Sequence, residues 1–300
     1  MNDGGTRSGT GHFIDTETRQ AFDIAYERAM SLWPPQHDRF DIETRFGTTR
    51  VYRYGVDQGE PIVLLHGHGA NASTWYRQIE TLGARHPVYA VDIIDDPGGS
   101  VQRLPVTGST DAAAWLDEVF EGLGLERVHL VGHSYGGWVA LNQGVYGDSR
   151  LARLTLIDPG GLEKVPLRFL ASLVVAVFAM QAPASWRPRL ARLLAEAALA
   201  ELPEIMAPVM IGARAFRPYR KPTRLFTDEE LRGVTVPTQV ILARRTKLMR
   251  PARALARARR LLPLTRGEIV PGVGHGIPQE APDLVNERIL TFAGEAIAPG

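Results

Sequence analysis

Residues 128–140 read Val-His-Leu-Val-Gly-His-Ser-Tyr-Gly-Gly-Trp-Val-Ala, and this stretch limits the fold more than any other. Val128, Leu130 and Val131 have the pattern of a short buried strand, and Trp138, Val139 and Leu141 open a helix. Between them, Gly132-His133-Ser134-Tyr135-Gly136 forms a G-x-S-x-G pattern. A strand that turns sharply into a helix forces its apex residue into a strained backbone conformation. Glycines two positions either side let strand and helix close together, which leaves the apex hydroxyl exposed at the carboxyl edge of a sheet. The helix that follows aims unpaired N–H groups at negative charge forming beside that oxygen. Five residues recur by chance, so the pattern gains weight only from the strand before it and the helix after it. An ordinary Gly-rich turn is the plain alternative.

The rest of the chain repeats the same rhythm. Pro61–His66 and Pro87–Asp92 are continuous apolar strands, and Asp111–Leu123 has the spacing of a helix. Leu154–Ile157 is a further strand ending at Asp158-Pro159, and Val236–Ala243 and Glu268–Pro271 complete the set before a closing helix over Ala281–Phe292. Strand and helix alternating at this spacing predict a mostly parallel, doubly wound α/β sheet covered on both faces. Ligands of such sheets lie at the carboxyl ends of the strands, where His66–Ala70, Asp95–Ser100, Ser134 and Asp158 all fall. Phe40–Val56 alternates about a Phe46-Gly47-Thr48-Thr49 turn and predicts an antiparallel hairpin. Phe22, Ile24, Ala25, Ala29, Leu32 and Trp33 predict an amphipathic helix upstream of Pro34-Pro35.

The rhythm breaks after Gly161. Residues 162–226 hold helical apolar stretches (Leu167–Met180, Leu190–Leu202, Ile205–Phe216) separated by prolines, with no strand pattern. The expected division is therefore a disordered tail over 1–12, a core over 13–161 and 227–300, and a helical cap over 162–226, inserted after the sixth strand.

Composition removes several function classes. A formal charge of +1 argues against a nucleic-acid surface, and the absence of cysteine excludes disulfides, thiolate metal sites and cysteine nucleophiles. Met1–His12 lacks an apolar signal core, and the longest apolar run is interrupted by Arg168, Ser172 and Gln181, short of the ~20 residues a membrane span needs. The expectation is a cytoplasmic protein with no membrane partner.

A serine hydroxyl is a poor nucleophile until a base takes its proton. Among eight histidines, His275 is the best placed, in Gly272-Val273-Gly274-His275-Gly276 directly after the last strand. With His66-Gly67 after one strand, Val91-Asp92 after the next, the Ser134 turn and this loop, the chain resembles the α/β-hydrolase superfamily across about residues 40–295. Leu32-Trp33-Pro34, Val91–Ile94 and Phe226–Leu231 are similar to a bacterial carboxylesterase-like branch. The resemblance implies an α/β-hydrolase fold and a Ser–His–acid triad. It also implies an oxyanion hole from the backbone N–H groups of Tyr135 and His68.

One position departs from that pattern. Where many members carry the acid, the segment here is Ala243-Arg244-Arg245-Thr246-Lys247-Leu248-Met249-Arg250-Pro251, with Thr246 in place of a carboxylate. Asp158 is the replacement, since some members carry the acid after the strand that follows the serine helix. Its plain alternative is a cap on the turn into Pro159. Asp92 and Asp95 are the lesser candidates for the acid; Asp92 is otherwise expected to bond backbone at its strand end, and Asp95-Asp96 to line the pocket. The dense basic run 244–260 reads first as a solvated helix face, and otherwise as a site for a carboxylate, phosphate or acidic carrier. Phe169, Phe178, Met180, Met206, Met210 and Phe216 are candidates for an apolar acyl pocket.

The expected activity is a serine hydrolase, needing no cofactor and no metal, that cleaves a carboxylic ester or related acyl bond of a small, apolar molecule through an acyl-enzyme on Ser134, with His275 as base and Asp158 as its partner. Two alternatives stand beside it. One is non-hydrolytic chemistry on the same fold (cyclisation, elimination or acyl transfer), motivated by Thr246. The other is a catalytically retired small-molecule binding module.

Overall fold

A computed structural model describes residues 9–166, 185–186, 202–220 and 223–295. The framework is a twisted sheet whose strands run in the order β11-β10-β8-β7-β4-β5-β3-β2. In chain order these are β2 (Asp38–Thr44), β3 (Gly47–Tyr54), β4 (Ile62–Leu65), β5 (Val88–Val91), β7 (Val128–His133), β8 (Leu151–Ile157), β10 (Thr238–Ala243) and β11 (Thr265–Val270), and the two-residue β6 (Val101–Gln102) pairs with β3. From β5 to β11 every neighbouring pair is parallel, while β2 and β3 pair antiparallel at one edge. This is the mostly parallel doubly wound sheet that the apolar rhythm predicts. The strand order reverses between β4 and β7, which opens a crevice at their carboxyl ends.

Alternation within each strand explains the two helical layers. Val63, Leu65, Leu130, Leu156, Val240 and Leu242 face a layer built from α3 (Ser109–Gly122), α4 (Tyr135–Tyr146) and α7 (Pro251–Leu261). Ile62, Leu64, Val131, Ile157, Ile241 and Ala243 face the opposite side, with α1 (Thr16–Met30), α2 (Ile79–Gly83) and α9 (Pro282–Ala293). All four residues of β4 are fully buried, and each such aliphatic side chain contributes about 1.5–3 kcal/mol by leaving water. The site-bearing strand ends are therefore fixed from both faces.

Three local expectations are corrected. The hairpin turn is Arg45-Phe46, with Gly47, Thr48 and Thr49 already paired in β3. Gly47 has φ +140°, and a β-carbon there would strike the Val101 carbonyl. On α1, the buried stripe is Phe22, Ala25, Tyr26, Ala29 and Met30, whose three- and four-residue spacing leaves Ile24 on the solvent side at 59% exposure. The third is at the chain start: residues 1–8 of the expected tail lie outside the described residues, but Thr10 is buried, Gly11 N–H donates to Gln102 Oε1 (2.7 Å), and β1 (His12–Phe13) pairs antiparallel with β9 (Phe216–Arg217).

That β9 strand lies inside the stretch read as helical throughout, after α5 (Pro203–Ala215). The apolar segments 167–180 and 190–201 fall outside the described residues. The helical cap region follows β8, the sixth strand once the two-residue β1 and β6 are set aside. Its two stems meet: Phe226 N–H donates to Gly161 O (3.1 Å), and the Arg257 guanidinium bonds both Leu162 O (2.9 Å) and Phe226 O (2.7 Å). α5 lies along α1, with Ile205 and Gly212 buried, and Gly212 abuts Pro97 of the loop after β5. No helix among the described residues is long and apolar enough to cross a membrane.

Candidate active site

The candidate site is built at the carboxyl ends of the parallel strands. β7 runs into Ser134, which has φ 55° and ψ −111° and is followed at once by α4. The flanking glycines are sterically required: a β-carbon on Gly132 would run into the Gly136 carbonyl, and one on Gly136 into the carbonyls of Leu65 and His66. The turn is laced to its neighbours by Ser134 N–H to Ile157 O (3.0 Å), Gly160 N–H to Ser134 O (3.1 Å) and Gly136 N–H to His66 O (3.0 Å). The strain of the apex is thus held by backbone bonds from two adjacent strands.

β8 ends at Asp158, fully buried and also at positive φ (44°). One carboxylate oxygen, Oδ1, accepts from Ala243 N–H at the end of β10 (3.1 Å), which fixes the group's orientation. The other, Oδ2, lies 2.6 Å from Nδ1 of His275, and His275 Nε2 lies 2.9 Å from Ser134 Oγ. A carboxylate only accepts, so Nδ1 carries the proton and Nε2 offers a lone pair to the serine O–H. The three residues form one directed chain of hydrogen bonds.

The loop carrying His275 is held by its own contacts. His133 Nε2–H donates to the His275 carbonyl (2.8 Å), Arg245 N–H to Val273 O (3.0 Å), and Gly274 N–H to Glu280 Oε2 (2.8 Å). Burial, with a further contribution from neighbouring His275, pushes the His133 imidazole down to about 4, so it serves as a neutral donor. Thr246 is buried with its hydroxyl accepting from Leu248 N–H (3.2 Å), closing its own turn. The acid-less β10 loop therefore supports the His275 loop through backbone rather than through a side chain at Thr246.

The segment after β4 passes close to Ser134: a β-carbon at Gly67 would come within 3.4 Å of Ser134 Cβ. In that segment the N–H of Gly69 is committed to Asp96 Oδ1 (3.0 Å) and that of Ala70 to Gly67 O (3.2 Å). Tyr135 is the first residue of α4, ahead of the helix's own hydrogen-bond ladder. Asp92 accepts from Ala72 N–H, Gly99 N–H and Tyr26 O–H, the strand-end bonding its sequence context predicts.

Asp95 and Asp96 belong to a cluster that the sequence does not announce. Arg220 donates to Asp95 Oδ1 (3.2 Å), to Asp96 Oδ1 (2.5 Å) and Oδ2 (3.3 Å), and to His68 Nδ1 (2.5 Å). Its guanidinium carbon lies 4.2 Å from the Tyr135 ring centroid, and Tyr135 O–H donates to Asp95 Oδ2 (2.9 Å). Burial opposes ionisation of both carboxyls. At Asp96 the charge of Arg220 outweighs it and holds the group below the usual range, whereas at Asp95 burial wins and the group is raised. Asp95, Tyr135, Trp138, Arg220 and Arg224 line a cavity of about 500 Å³. A smaller one of about 300 Å³, around Gln239, Arg266 and Arg288, opens at the far ends of β10 and β11.

Other expectations resolve plainly. Much of the basic run is paired: Arg250 with Glu163, Arg257 and Arg260 with Asp228, and Arg259 with Gly267 O. Phe216 packs against Phe13 and Gly11, and Phe169, Phe178 and Met180 lie outside the described residues.

The profile of the alpha/beta hydrolase family matches residues 62–288. A carboxylesterase from Bacillus subtilis, YbfK, is 30% identical over 291 residues, spanning 93% of this chain and 96% of the relative. The crystal structure of that carboxylesterase (CesB) superposes with a TM-score of 0.82 at 29% identity, covering 94% of this chain and 100% of the other. The naproxen esterase of the same organism superposes with a TM-score of 0.82 at 28% identity, covering 93% and 99%. The profile match spans the strand ends that carry Ser134, Asp158 and His275, and the chain belongs to the alpha/beta hydrolase family.

Proposed function

We propose that this protein is a serine hydrolase that cleaves a carboxylic ester, or a related acyl bond, through an acyl-enzyme on Ser134. The observation that carries the reading is the directed chain Asp158–His275–Ser134, with the hydroxyl 2.9 Å from an imidazole nitrogen whose opposite face is bound to a buried carboxylate. Ser134 Oγ attacks the substrate carbonyl carbon as its proton passes to His275 Nε2. Asp158 stabilises the imidazolium that forms and keeps the ring in the tautomer that can accept. The carbonyl oxygen becomes an oxyanion, bound by the N–H groups of Tyr135 and His68. Collapse of this intermediate breaks the ester C–O bond, and the leaving alkoxide takes the proton from Nε2. Water then repeats the cycle on the acyl-enzyme, with His275 again as base.

The magnitudes favour this over the alternatives. An imidazole with a misdirected tautomer loses ~10⁴ in turnover. The Thr246 departure raises that prospect and motivates the non-hydrolytic reading. The Asp158–His275 bond supports the hydrolytic reading instead. The carboxylesterase relatives point to an ester substrate, and a small acyl or aryl ester is the class proposed here.

The test is the intact mass of the protein after treatment with a fluorophosphonate, together with turnover of p-nitrophenyl esters, in wild type and Ser134→Ala. A single adduct and a burst of p-nitrophenol, both absent from the variant, are expected. Full turnover by Ser134→Ala would falsify the mechanism.

A further inference from the structure

We propose that Arg220 is a positioning residue for the oxyanion hole: its guanidinium ties the loop after β4 to the first residue of α4, the two segments that supply the oxyanion-binding N–H groups. The proposal rests on the Ser134 reading above and assigns a role to a residue of the segment that returns from the cap region.

The connections run in both directions from one fork. Towards the loop after β4, Arg220 donates to His68 Nδ1, and to Asp96, whose Oδ1 in turn accepts from Gly69 N–H. Towards α4, it lies 4.2 Å from the Tyr135 ring centroid and bonds Asp95, which holds the Tyr135 hydroxyl. His68 and Tyr135 thereby share a single partner through their side chains, while their backbone N–H groups remain for the substrate. A planar guanidinium with five donors can span these acceptors together, which a single ammonium cannot.

Charge gives the same residue a second reason to matter. Asp95 and Asp96 are both almost fully buried and bond the two segments in question, Asp95 through Tyr135 O–H and Asp96 through Gly69 N–H. Unopposed, their negative charge in a poorly screened site would raise the energy of a developing oxyanion. Arg220, 12% exposed at its side chain, is the cation that answers them. Preorganised donors act at full strength only when they are already aimed and need no reorganisation during reaction. Loss of Arg220 therefore affects the transition state more than the ground-state complex.

The experiment compares wild type with Arg220→Gln, Arg220→Lys and Tyr135→Phe. The readouts are kcat and KM on p-nitrophenyl butyrate, the Kd of an aryl boronic acid (which forms a tetrahedral adduct on serine), and the thermal midpoint. Removing an oxyanion donor outright costs ~10²–10³ in turnover, so displacing two by a fraction of an ångström is expected to cost about 10–100-fold. In Arg220→Gln the loss falls on kcat, with KM within about threefold, and boronic acid affinity weakens by a similar factor. Arg220→Lys recovers only part of the loss. Tyr135→Phe, which keeps the ring against Arg220 but removes the hydroxyl that bonds Asp95, loses about 3–10-fold with the same split.

An Arg220→Gln enzyme with kcat within twofold of wild type overturns the proposal, as does a loss confined to KM. If Arg220→Gln does not fold, Tyr135→Phe decides: lowered kcat at constant KM supports the role, and unchanged kcat overturns it. A wild type that neither takes up a fluorophosphonate nor hydrolyses the ester overturns the Ser134 reading, and this proposal with it. An active wild type with an indifferent Arg220 overturns this proposal alone.

Discussion

Asp158 and His275 stand 117 positions apart in sequence, yet a buried carboxylate oxygen of one lies 2.6 Å from the imidazole Nδ1 of the other. The first of these strand ends adjoins β7, which carries Ser134, and the second lies at the edge of the parallel set. Only sheet topology brings them together.

Asp158→Asn tests this pair. The amide can donate to Nδ1 and so favour the wrong tautomer, and kcat on p-nitrophenyl butyrate is expected to fall by ~10³–10⁴ while the fold persists. A fall of less than tenfold, in protein with an unchanged circular dichroism spectrum, would show that His275 does not rely on this carboxylate.

Thr246→Ala tests the vacant position. Its hydroxyl serves the Leu248 N–H of its own turn, so its removal is expected to cost about 0.5–1.5 kcal/mol of stability. Turnover should stay within about threefold of wild type. A loss comparable to that of Asp158→Asn would move the acid's duty to the β10 loop and sink the present assignment.

Acid sensitivity follows from two buried histidines. Burial pushes His129 down to about 3, and His133 down to about 4, from an ordinary value near 6.5. Their folded values are depressed, so between pH 6.5 and 4 the unfolded chain binds more protons, and stability falls as pH falls. Each contributes a slope approaching ~1.4 kcal/mol per pH unit within that window. Urea unfolding at pH 7, 6 and 5 should therefore show a shallower decline in His129→Gln than in wild type. Equal slopes would mean that His129 takes up a proton as easily folded as unfolded.

Much of the site is legible in the sequence because its chemistry is written locally. Gly132 and Gly136 are there because no β-carbon fits, and this steric demand marks Ser134 as the apex. His275 and Asp158 each follow a strand that the apolar runs predict. What the sequence hides is long-range pairing by short or polar segments. The β1–β9 ladder joins two residues to two others some two hundred positions away, and neither side has a strand pattern of its own. Arg220 is one of many arginines in the chain. Nothing nearby signals that its partners are His68, Asp95 and Asp96, which only the packing of the cap's return segment over the sheet edge brings to it.

Ser134 and Asp158 are the non-glycine residues with positive φ among those described, and this sets selection for durability against selection for turnover. At Ser134 a glycine would relax a backbone strain of about 1–3 kcal/mol. It would give back about 0.5–1 kcal/mol in chain entropy and the single side-chain bond to His275. A library sorted by resistance to denaturant is thus expected to enrich Ser134→Gly, a tougher and inert protein, whereas a library sorted on ester turnover discards it. Asp158 would not follow, because glycine there leaves the buried Ala243 N–H without its acceptor. The denaturation midpoint of Ser134→Gly against wild type reads this directly, and a lower midpoint would mean that the turn carries no recoverable strain.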